Sequence, residues 1–364
     1  MLNFEFTPEQ KALVEETRRF TRERIIPIAG EADKTHEFPM DVFKEAWELG
    51  FVGPNIPEAY GGAGMGEVDH VLLTEELAFG CTGIQTSITA NVLAATPILV
   101  AGNEEQKKKY LGMLTSEPIF AAYAITEPAA GSDAAGIQAR AKKDGNDWVV
   151  TGQKCYITNA AWATWFVVFA TVDPKLRHGG IMAFIVDRDM PGVSIGKTED
   201  KLGQRASNTA VVNLDDVRIP SSNVLAEAGH GFKLAMQTFD RTRPDIGAGA
   251  CGLMRRAMEE SIAYALERKT FGVPIAEHQM VQAMIAEMGI RYEATRLLVH
   301  KAAWQIDNGG RNSLVASYSK AFGADSAMQV ATDAVQVFGG NGYITEYPVE
   351  KLMRDAKILQ IYEG

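Results

Sequence analysis

The chain has 364 residues, of which 46% are hydrophobic and 23% are charged, so we expect a soluble globular protein of two or three domains. The net charge of −10 argues against a nucleic-acid backbone or an anionic membrane as partner. Three scattered cysteines without a CxxC pair indicate neither a zinc site nor a disulfide framework. The opening MLNFEFTPEQ is neither a secretory signal nor an Arg-rich transit peptide, and no uncharged apolar run is expected to reach membrane-spanning length.

The first third of the chain has helical periodicity. Thr7, Pro8 and Gln10 form a helix start with a hydroxyl cap, and the pattern continues to about Gly30. The next helix is expected to end at Gly50, and GEVDHVLLTEELAF at 66–79 returns to helical spacing after a glycine-rich loop. NEEQKKKYLGML at 103–114 begins with a second cap pair. We therefore expect an N-terminal α-helical domain over 1–117.

The middle of the chain changes to short segments rich in β-branched and aromatic residues. Turn signals such as Asp144-Gly145 and Pro191-Gly192 separate these segments. Strands without intervening helices predict an antiparallel, barrel-like β-domain over 118–228. From about Gly231 long amphipathic helices follow, which predicts a four-helix bundle over 229–364 and an α+β fold for the whole chain.

Several familiar motifs fail. PGVSIGKTED has only three residues between Gly192 and Gly196, one too few for a P-loop. GGAGMG at 61–66 does not fit G-x-G-x-x-G and follows no predicted strand. The sequence contains no HExxH and no G-x-S-x-G, and its six histidines are dispersed. Nicotinamide-dependent, metal-dependent and serine-hydrolase functions lose their usual support.

Two strand segments have polar residues suited to a ligand. In YAITEPAAGSD at 123–133, alternation places Tyr123 and Ile125 on one face, and the amides around Gly131 and Ser132 could hold an anionic group. In KCYITNA at 154–160, Tyr156 and Thr158 share a face that suits a flat, hydrogen-bonding ring. From composition alone, an ordinary turn and a cross-strand aromatic pair are somewhat better explanations.

Three helical segments leave similar alternatives open. Asp240 and Arg243 in FDRTRP are three residues apart and so lie on one helical face. They could form a ligand site or a surface ion pair that contributes little stability. Arg268 and Thr270 in ERKTFG could bind a pyrophosphate. Alternatively, Arg268 is a cation that interacts favourably with the dipole at the C-terminal end of a helix, which Gly272 is expected to close. The glycines of FGGNG at 338–342 exceed what a helix cap requires, which favours close approach of a ligand or a neighbouring subunit.

The segment KILQIYEG places Glu363 after an apolar run. A frayed terminus is the ordinary explanation and a catalytic base is the alternative.

Taken together, these segments resemble the acyl-CoA dehydrogenase family, and most closely its medium-chain members. The matching stretches are YAITEPAAGSD, KCYITNA, FDRTRP, ERKTFG, FGGNG, EYPVEKLMRDAKI and IYEG, in the family's order across nearly the whole chain. The resemblance implies a helical domain, a small β-domain and a four-helix bundle, assembled as a homotetramer. It also implies that the last domain continues beyond Gly364 with a T-S-Q segment and a final helix.

The resemblance further implies bound FAD, an acyl-CoA substrate and a base at Glu363. The residues that it assigns to FAD are Tyr123, Ile125, Thr126, Gly131, Ser132, Tyr156, Ile157 and Thr158 within one subunit, and Arg268, Thr270, His278, Gln279, Gln336, Gly339 and Gly340 across a subunit interface. The residues that it assigns to acyl-CoA are Ser132, Asp240, Arg241, Thr242, Arg243, Tyr362 and Glu363. Some relatives carry the base in the helix around FDRTRP, which has no glutamate here.

The implied reaction explains why the base needs apolar surroundings. A thioester α-hydrogen is weakly acidic, and desolvation by the acyl chain, Ile361 and Tyr362 should raise the pKa of Glu363. In the family, the flavin ribityl hydroxyl and the backbone amide of the base stabilise the enolate. The β-hydrogen leaves as hydride to the flavin, giving a trans-2-enoyl-CoA, and an electron-transferring flavoprotein reoxidises the flavin.

The chain also departs from the family pattern, and alternatives remain. Tyr156 stands where the family commonly has Trp, so the contact with the flavin ring could differ, and Ala129 stands where glycine is frequent. Thr89 stands where some medium-chain relatives have an acid, so the pocket depth could differ. The alternatives are an acyl-CoA oxidase, a short- or branched-chain acyl-CoA dehydrogenase and, ranked low, a non-catalytic helical scaffold. The expected location is the bacterial cytoplasm, or the mitochondrial matrix if a presequence has been removed.

Overall fold

The computed structural model describes residues 5–364 and contains helices, then a β-sheet, then helices, as the sequence predicts. The helices of the first part are α1 Pro8–Phe20, α2 Ile26–Thr35, α3 Met40–Glu48, α4 Glu67–Gly80, α5 Thr82–Ala101, α6 Glu104–Gln106 and α7 Gly112–Ser116, with π-helical turns at Thr21–Ile25 and Lys107–Leu111.

Local sequence signals fix the helix starts. Thr7 and Gln10 form the predicted reciprocal cap of α1, and Asn103 and Gln106 form that of α6. Gly50 follows α3 with φ 76°, as expected for a helix end. The prediction that the first helical stretch ends near Gly30 is wrong, because helical structure continues to Thr35.

Helix α5 corrects the prediction that no uncharged apolar run reaches membrane-spanning length. It has 20 residues without a charge and would pass a length and composition test for a membrane span. However, 67% of its most apolar window is buried inside the protein, where Ala94, Ala95 and Ile98 pack beneath the sheet. Its composition therefore fits a core helix.

The middle part is a single sheet. Its strands are β1 Phe120–Ala124, β2 Arg140–Asp144, β3 Asp147–Thr158, β4 Ala163–Thr171, β5 Ile181–Asp187, β6 Val193–Thr198, β7 Thr209–Ile219 and β8 Val224–Ala226. They follow the order β6-β7-β3-β2-β4-β5-β8, with β1 added to β4. Strands β1, β4 and β5 are buried on both faces, whereas β2 and β6 have exposed residues. The predicted β-domain between two helical parts is confirmed, but its pairing is mixed and not only antiparallel, because β1 and β2 pair with β4 in parallel.

Strand alternation in β1 and β4 matches the two covered faces. Tyr123 and Trp165 belong to the hydrophobic cluster shared with α5 and α8. Ala124 and Phe166 belong to the cluster between the sheet's other strands. The predicted face of Tyr123 and Ile125 is confirmed, and it is the face that meets the helices.

The last part is a bundle of four helices packed on α4. The helices are α8 Gly231–Glu267, α9 Gln279–Asp307, α10 Ser313–Phe338 and α11 Val349–Leu359. A small hairpin joins α8 to α9, with strands β9 Lys269–Thr270 and β10 Val273–Pro274. Short 3₁₀ turns lie at Glu58–Tyr60, Ala134–Gly136, Pro174–Gly180, Ser221–Asn223, Ile275–Glu277 and Gly339–Tyr343.

Helix α8 runs through Pro244 without ending. A proline in a helix leaves the carbonyl four residues earlier without its usual donor. Here that carbonyl belongs to Asp240, and it accepts a hydrogen bond from Asn312 Nδ2 at 2.5 Å. The side chain from the start of α10 thus replaces the missing helix bond, so Thr242 and the residues beyond Pro244 stay on one helix.

A buried charge cluster joins the first part to the bundle. Glu75 of α4 accepts hydrogen bonds from Arg255 at 3.2 Å, Tyr292 at 2.8 Å and Arg296 at 3.2 Å. Because each carboxylate oxygen is bonded to a cation or a hydroxyl, the buried charge is compensated. This cluster fixes α4 against α8 and α9.

Candidate active site

A cavity of about 170 Å³ lies where α5, α8, the sheet and the end of the chain meet. Its wall combines the predicted base with aromatic, hydroxyl and aliphatic side chains. The lining residues are Gln85, Thr86, Thr89, Ala90, Leu93, Tyr123, Ile125, Thr126, Tyr156, Ile157, Thr158, Phe239, Thr242, Asp245, Ile246, Gly249, Tyr362 and Glu363. The structure thus brings Glu363 together with six of the residues predicted to line a flavin.

Glu363 is a cavity residue and not a solvated end. Thr242 Oγ1 donates a hydrogen bond to Glu363 Oε2 at 2.9 Å. Burial is the largest influence on this carboxyl and raises its pKa, while the Thr242 hydrogen bond lowers it. The nearby Asp245 carboxylate raises the pKa again, and Arg243 and Lys320 lower it. The resulting pKa of Glu363 is about 7, which suits a general base near neutral pH.

The backbone of Glu363 is held from two helices. The residue has φ 57°, in the left-handed region that a non-glycine residue rarely occupies. Arg243 Nε donates to the Glu363 carbonyl at 3.1 Å, and Lys320 Nζ donates to the Gly364 carbonyl at 2.7 Å. These charge-assisted bonds from α8 and α10 stabilise the strained conformation that turns the carboxylate into the cavity.

Tyr362 connects the same segment to the other two parts of the chain. Its hydroxyl interacts with Gln204 and Thr86, and burial raises its pKa. Thr86 Oγ1 donates to Gln204 Oε1 at 3.1 Å, and the backbone N–H of Gln204 donates to Asp355 Oδ1 at 2.5 Å. The segment that carries Glu363 is therefore positioned by the N-terminal helices, the loop between β6 and β7, and the bundle together.

The sheet side of the cavity offers a flat aromatic ring and hydroxyls. Tyr156 has φ 58° and lies where the register of β3 against β7 shifts, so a bulge leaves its ring 66% exposed. Tyr156 and Thr158 both line the cavity, as their predicted shared face requires, and Thr126 lines it as well. The buried Tyr123 hydroxyl has no protein hydrogen-bond partner. A planar, polar ligand ring fits this wall, because it would cover the exposed ring and give the orphan hydroxyl a partner.

A buried ion pair supports this wall from behind. Lys154 Nζ donates to Glu127 Oε1 at 2.6 Å and to the Ile125 carbonyl at 3.0 Å. Glu127 also accepts the backbone amides of Gln138 at 2.5 Å and Ala139 at 3.0 Å. The pair ties β3 to the segment that follows β1, which fixes the positions of Ile125 and Thr126.

Some predicted ligand residues lie outside the cavity. Gly131 and Ser132 are exposed on the loop after β1, and Arg241 is exposed on α8. Asp240 approaches Arg243 at 3.9 Å and accepts a bond from the Ser313 hydroxyl. In this structure Arg243 contacts Ser317 and the Glu363 carbonyl, so Asp240 to Arg243 form a polar rim beside the base.

The second group of predicted cofactor residues lies on the surface of the bundle and not around the cavity of its own chain. Thr270 Oγ1 and His278 Nε2 are 2.9 Å apart, with Arg268 and Gln279 exposed nearby. Gly272 has φ 85° within the β9–β10 hairpin, so it forms that turn and does not close a helix as predicted.

The glycines of FGGNG also need correction in part. Gly339 has φ 61° and ends α10 as a cap, and a side chain on Gly342 would meet the Val335 carbonyl at 2.5 Å. The close approach at Gly342 is therefore to the preceding helix α10 of the same chain. Gly339 and Gly340 face open space, and Gln336 is exposed beside them.

Sequence reasoning missed a group of polar residues on the helical side. Asp245 and Gln85 line the cavity, and His70 Nδ1 lies 3.1 Å from Asp245 Oδ1 and 3.8 Å from Glu67 Oε1. Glu67, His70 and Asp245 are all buried. One local signal was available, because Asp245 lies three residues after Thr242 and so on the same face of α8.

Comparison with known proteins covers the whole described fold. Residues 7–118, 122–217 and 229–364 match the N-terminal, middle and C-terminal domains of acyl-CoA dehydrogenases. A probable medium-chain specific acyl-CoA dehydrogenase 2, mitochondrial, of Caenorhabditis briggsae is 46% identical over 366 residues, covering 100% of this chain and 89% of the relative. The cyclohexane-1-carbonyl-CoA dehydrogenase of Geobacter metallireducens is 42% identical, covering 98% and 94%.

The fold comparison agrees. The structure of butyryl-CoA dehydrogenase from Megasphaera elsdenii superposes with a TM-score of 0.97 at 37% identity, covering 100% of this chain and 96% of that chain. The chain therefore belongs to the acyl-CoA dehydrogenase family and is an oxidoreductase that acts on CH–CH bonds.

Proposed function

We propose that the protein catalyses the FAD-dependent α,β-dehydrogenation of a medium-chain acyl-CoA to trans-2-enoyl-CoA in fatty acid β-oxidation. The observation that carries this proposal is Glu363, a carboxyl with a pKa of about 7 inside a cavity that also has an exposed aromatic wall. A base of ordinary strength in water would be too weak for a thioester α-hydrogen.

Glu363 would remove the α-proton and hold it on its carboxylate. Burial already raises its pKa, and an acyl chain filling the cavity would exclude water and raise it further. The Thr242 hydrogen bond opposes this rise and fixes the orientation of the carboxylate. Arg243 and Lys320 hold the adjoining carbonyls, so the base would approach one face of the substrate.

The site fits a flavin on its sheet side. Tyr156, Ile157 and Thr158 would contact the ring, with Tyr123, Ile125 and Thr126 beside it and Gly131 and Ser132 near the phosphates. When bound, FAD would supply the hydride acceptor for the β-hydrogen. The unpartnered Tyr123 hydroxyl and the 66% exposure of Tyr156 support this placement.

We also propose a homotetramer in which a partner subunit completes the cofactor site. Arg268, Thr270, His278, Gln279, Gln336, Gly339 and Gly340 would contact FAD of a neighbouring subunit, since they lie on the surface and outside the cavity of their own chain. Helix α9 carries an exposed apolar stripe with seven-residue spacing at Ile290, Leu297 and Trp304. Such a stripe is typical of a helix–helix interface.

The medium-chain assignment depends on the relative with that name, and on an aliphatic section of the cavity at Ala90, Leu93 and Ile246. Asp240, Arg241 and Ser132 would contact the CoA portion, and Tyr362 would border the thioester. An electron-transferring flavoprotein would accept the electrons. The expected location is the mitochondrial matrix of a processed chain or the bacterial cytoplasm.

Anaerobic titration of the FAD-loaded protein with acyl-CoA thioesters of increasing length tests the proposal. We expect bleaching of the flavin absorbance with an optimum at medium chain length, and no bleaching in Glu363→Gln. A protein that binds FAD yet is not bleached by any acyl-CoA would contradict the dehydrogenase function. Rapid peroxide formation in air would instead favour an oxidase.

A further inference from the structure

The helical wall of the cavity contains a carboxylate that the proposed dehydrogenation does not use. Asp245 lines the cavity one helical turn beyond Thr242, the residue that contacts the base. A three-residue step along a helix is about 4.5 Å. Asp245 is therefore displaced along α8 from the residue that contacts Glu363, beside the section of the cavity lined by Ile246 and Gly249 where an acyl chain would lie.

Asp245 is part of a buried group of three charged residues. His70 lies between Asp245 at 3.1 Å and Glu67 at 3.8 Å, and none of the three is exposed by more than 8%. Burial alone would lower the pKa of His70, but the two carboxylates raise it to about 10, so the imidazole is charged. Two carboxyl groups and one imidazolium are thus packed together inside the protein, and Asp245 is the acid of this group that lines the cavity.

The hydrogen-bonding capacity of this group is also incomplete. His70 Nδ1 and Asp245 Oδ1 form an ion pair at 3.1 Å without the alignment of a good hydrogen bond, and His70 Nε2 is buried without a partner. Burial raises the pKa of Asp245, and the neighbouring imidazolium opposes that rise. In native proteins, buried polar atoms without partners are rare and need an explanation.

Two neutral polar side chains lie on the facing helix. Gln85 Nε2 donates to Thr89 Oγ1 at 2.9 Å, and Thr89 Oγ1 donates to the Gln85 carbonyl at 3.2 Å. Among the described residues, no donor reaches Gln85 Oε1, which lies 3.4 Å from the position of a Cβ on Gly249. Gln85, Thr89, Asp245 and Gly249 all line the cavity. The absence of a side chain at Gly249 leaves room beside the amide.

An unsubstituted acyl chain matches this wall poorly. By filling the cavity it would remove the remaining water from Asp245 and Gln85 and offer no hydrogen bond in return. Leaving such groups unpaired weakens binding by about 10- to 100-fold each. A substituent with an O–H group would instead donate to one of these oxygens. Because His70 already places a cation beside Asp245, a neutral donor fits better than a second cation.

Building on the function proposed above, we propose that the preferred substrate carries a hydroxyl group on its acyl chain, a few carbons beyond the β-carbon. Asp245 accepts a hydrogen bond from this hydroxyl, Gln85 and Thr89 border it, and His70 with Glu67 holds Asp245 in place. Asp245 is then a specificity-determining residue, while Glu363 remains the base.

The test compares octanoyl-CoA with 6-, 7- and 8-hydroxyoctanoyl-CoA on the FAD-loaded protein. We expect kcat/KM for at least one hydroxylated isomer to exceed that for octanoyl-CoA by about 10- to 100-fold. Calorimetric Kd values of the matching enoyl-CoA products should show the same order. Asp245→Val should reverse this preference, because its kcat/KM for octanoyl-CoA should rise. The isosteric Asp245→Asn should reduce the preference. Glu259→Gln, at an exposed acid on the same helix outside the cavity, is the matched control and should leave the ratio unchanged.

Each outcome separates the two proposals. Equal or better turnover of octanoyl-CoA by the wild-type protein would overturn the hydroxyl preference and leave the dehydrogenase function intact. An unchanged ratio in both Asp245 variants would remove Asp245 from the recognition. If Asp245→Val does not fold, the wild-type comparison and Asp245→Asn still decide. A preference for 8-aminooctanoyl-CoA over every hydroxylated isomer would overturn the proposal in favour of a cation. Failure of every thioester to bleach the flavin would instead refute the dehydrogenase function.

Discussion

Replacing Thr242 by valine should make the proposed base harder to ionise. The substitution removes the hydroxyl that donates to Glu363 Oε2 at 2.9 Å, one of the contacts that lower the pKa of this residue. A hydrogen bond to a charged group contributes about 1.5 kcal/mol at the low end of its range. Since one pKa unit corresponds to about 1.4 kcal/mol, we expect a rise of about one unit from the present value of about 7.

The assay is the pH dependence of kcat/KM. A base with a raised pKa is protonated at neutral pH, so Thr242→Val should lose activity about 5-fold at pH 7 and recover it above pH 9. The rising limb of the profile should move up by about one unit. Thr242→Ser keeps the hydroxyl and should keep the limb in place. Activity lost equally at every pH, with an unshifted limb, would refute this account of the base.

Three further predictions address the base, the assembly and the support of the cavity. Glu363→Gln should lower kcat by about 10²- to 10⁴-fold. The pKa of Glu363 is about 7 in the folded protein and 4.5 ordinarily, so the wild type loses stability as pH rises from 4.5 to 7. In denaturant titrations the variant should therefore be about 1–3 kcal/mol more stable at pH 8 and equally stable at pH 4, and a gain at pH 4 would contradict this account. Leu297→Glu should break the tetramer in light scattering. Leu176→Glu is the control and should not, because Leu176 is similarly exposed but lies in the turn Pro174–Gly180, away from α9. An intact Leu297→Glu tetramer would exclude this face. Lys154→Met should cost about 3–5 kcal/mol in urea unfolding, because Glu127 is left buried without its cation, and Lys154→Met with Glu127→Gln should recover part of the loss; no loss in the single variant would show that water reaches the pair.

Signals that act within a few residues were predictable from the sequence. The caps at Thr7 and Asn103, the turn at Gly50 and the faces of β1 depend on neighbours along the chain, and the structure has all of them. The resemblance also predicted that Glu363 and the sheet residues Tyr123, Ile125, Thr126 and 156–158 meet at one site, and they line one cavity, since those motifs lie within single segments.

The features that could not be predicted depend on contacts between distant segments. The parallel pairing of β1 with β4 and the bulge at Tyr156 are set by partner strands. The helix continues past Pro244 because Asn312 supplies the missing donor. The burial of Asp245 depends on His70 from another helix, and the sequence alone gives an acid near a proline no reason to be internal.

The network around Tyr362 makes catalysis sensitive to remote changes. Thr86, Gln204 and Asp355 belong to three different parts of the chain, yet they converge on the two residues that carry the base. A substitution that lets any one part shift against the others would therefore behave like an active-site mutation, although it touches no ligand. On heating, we expect turnover to be lost before bulk helix content, because slippage at this junction needs less disruption than melting of any single part.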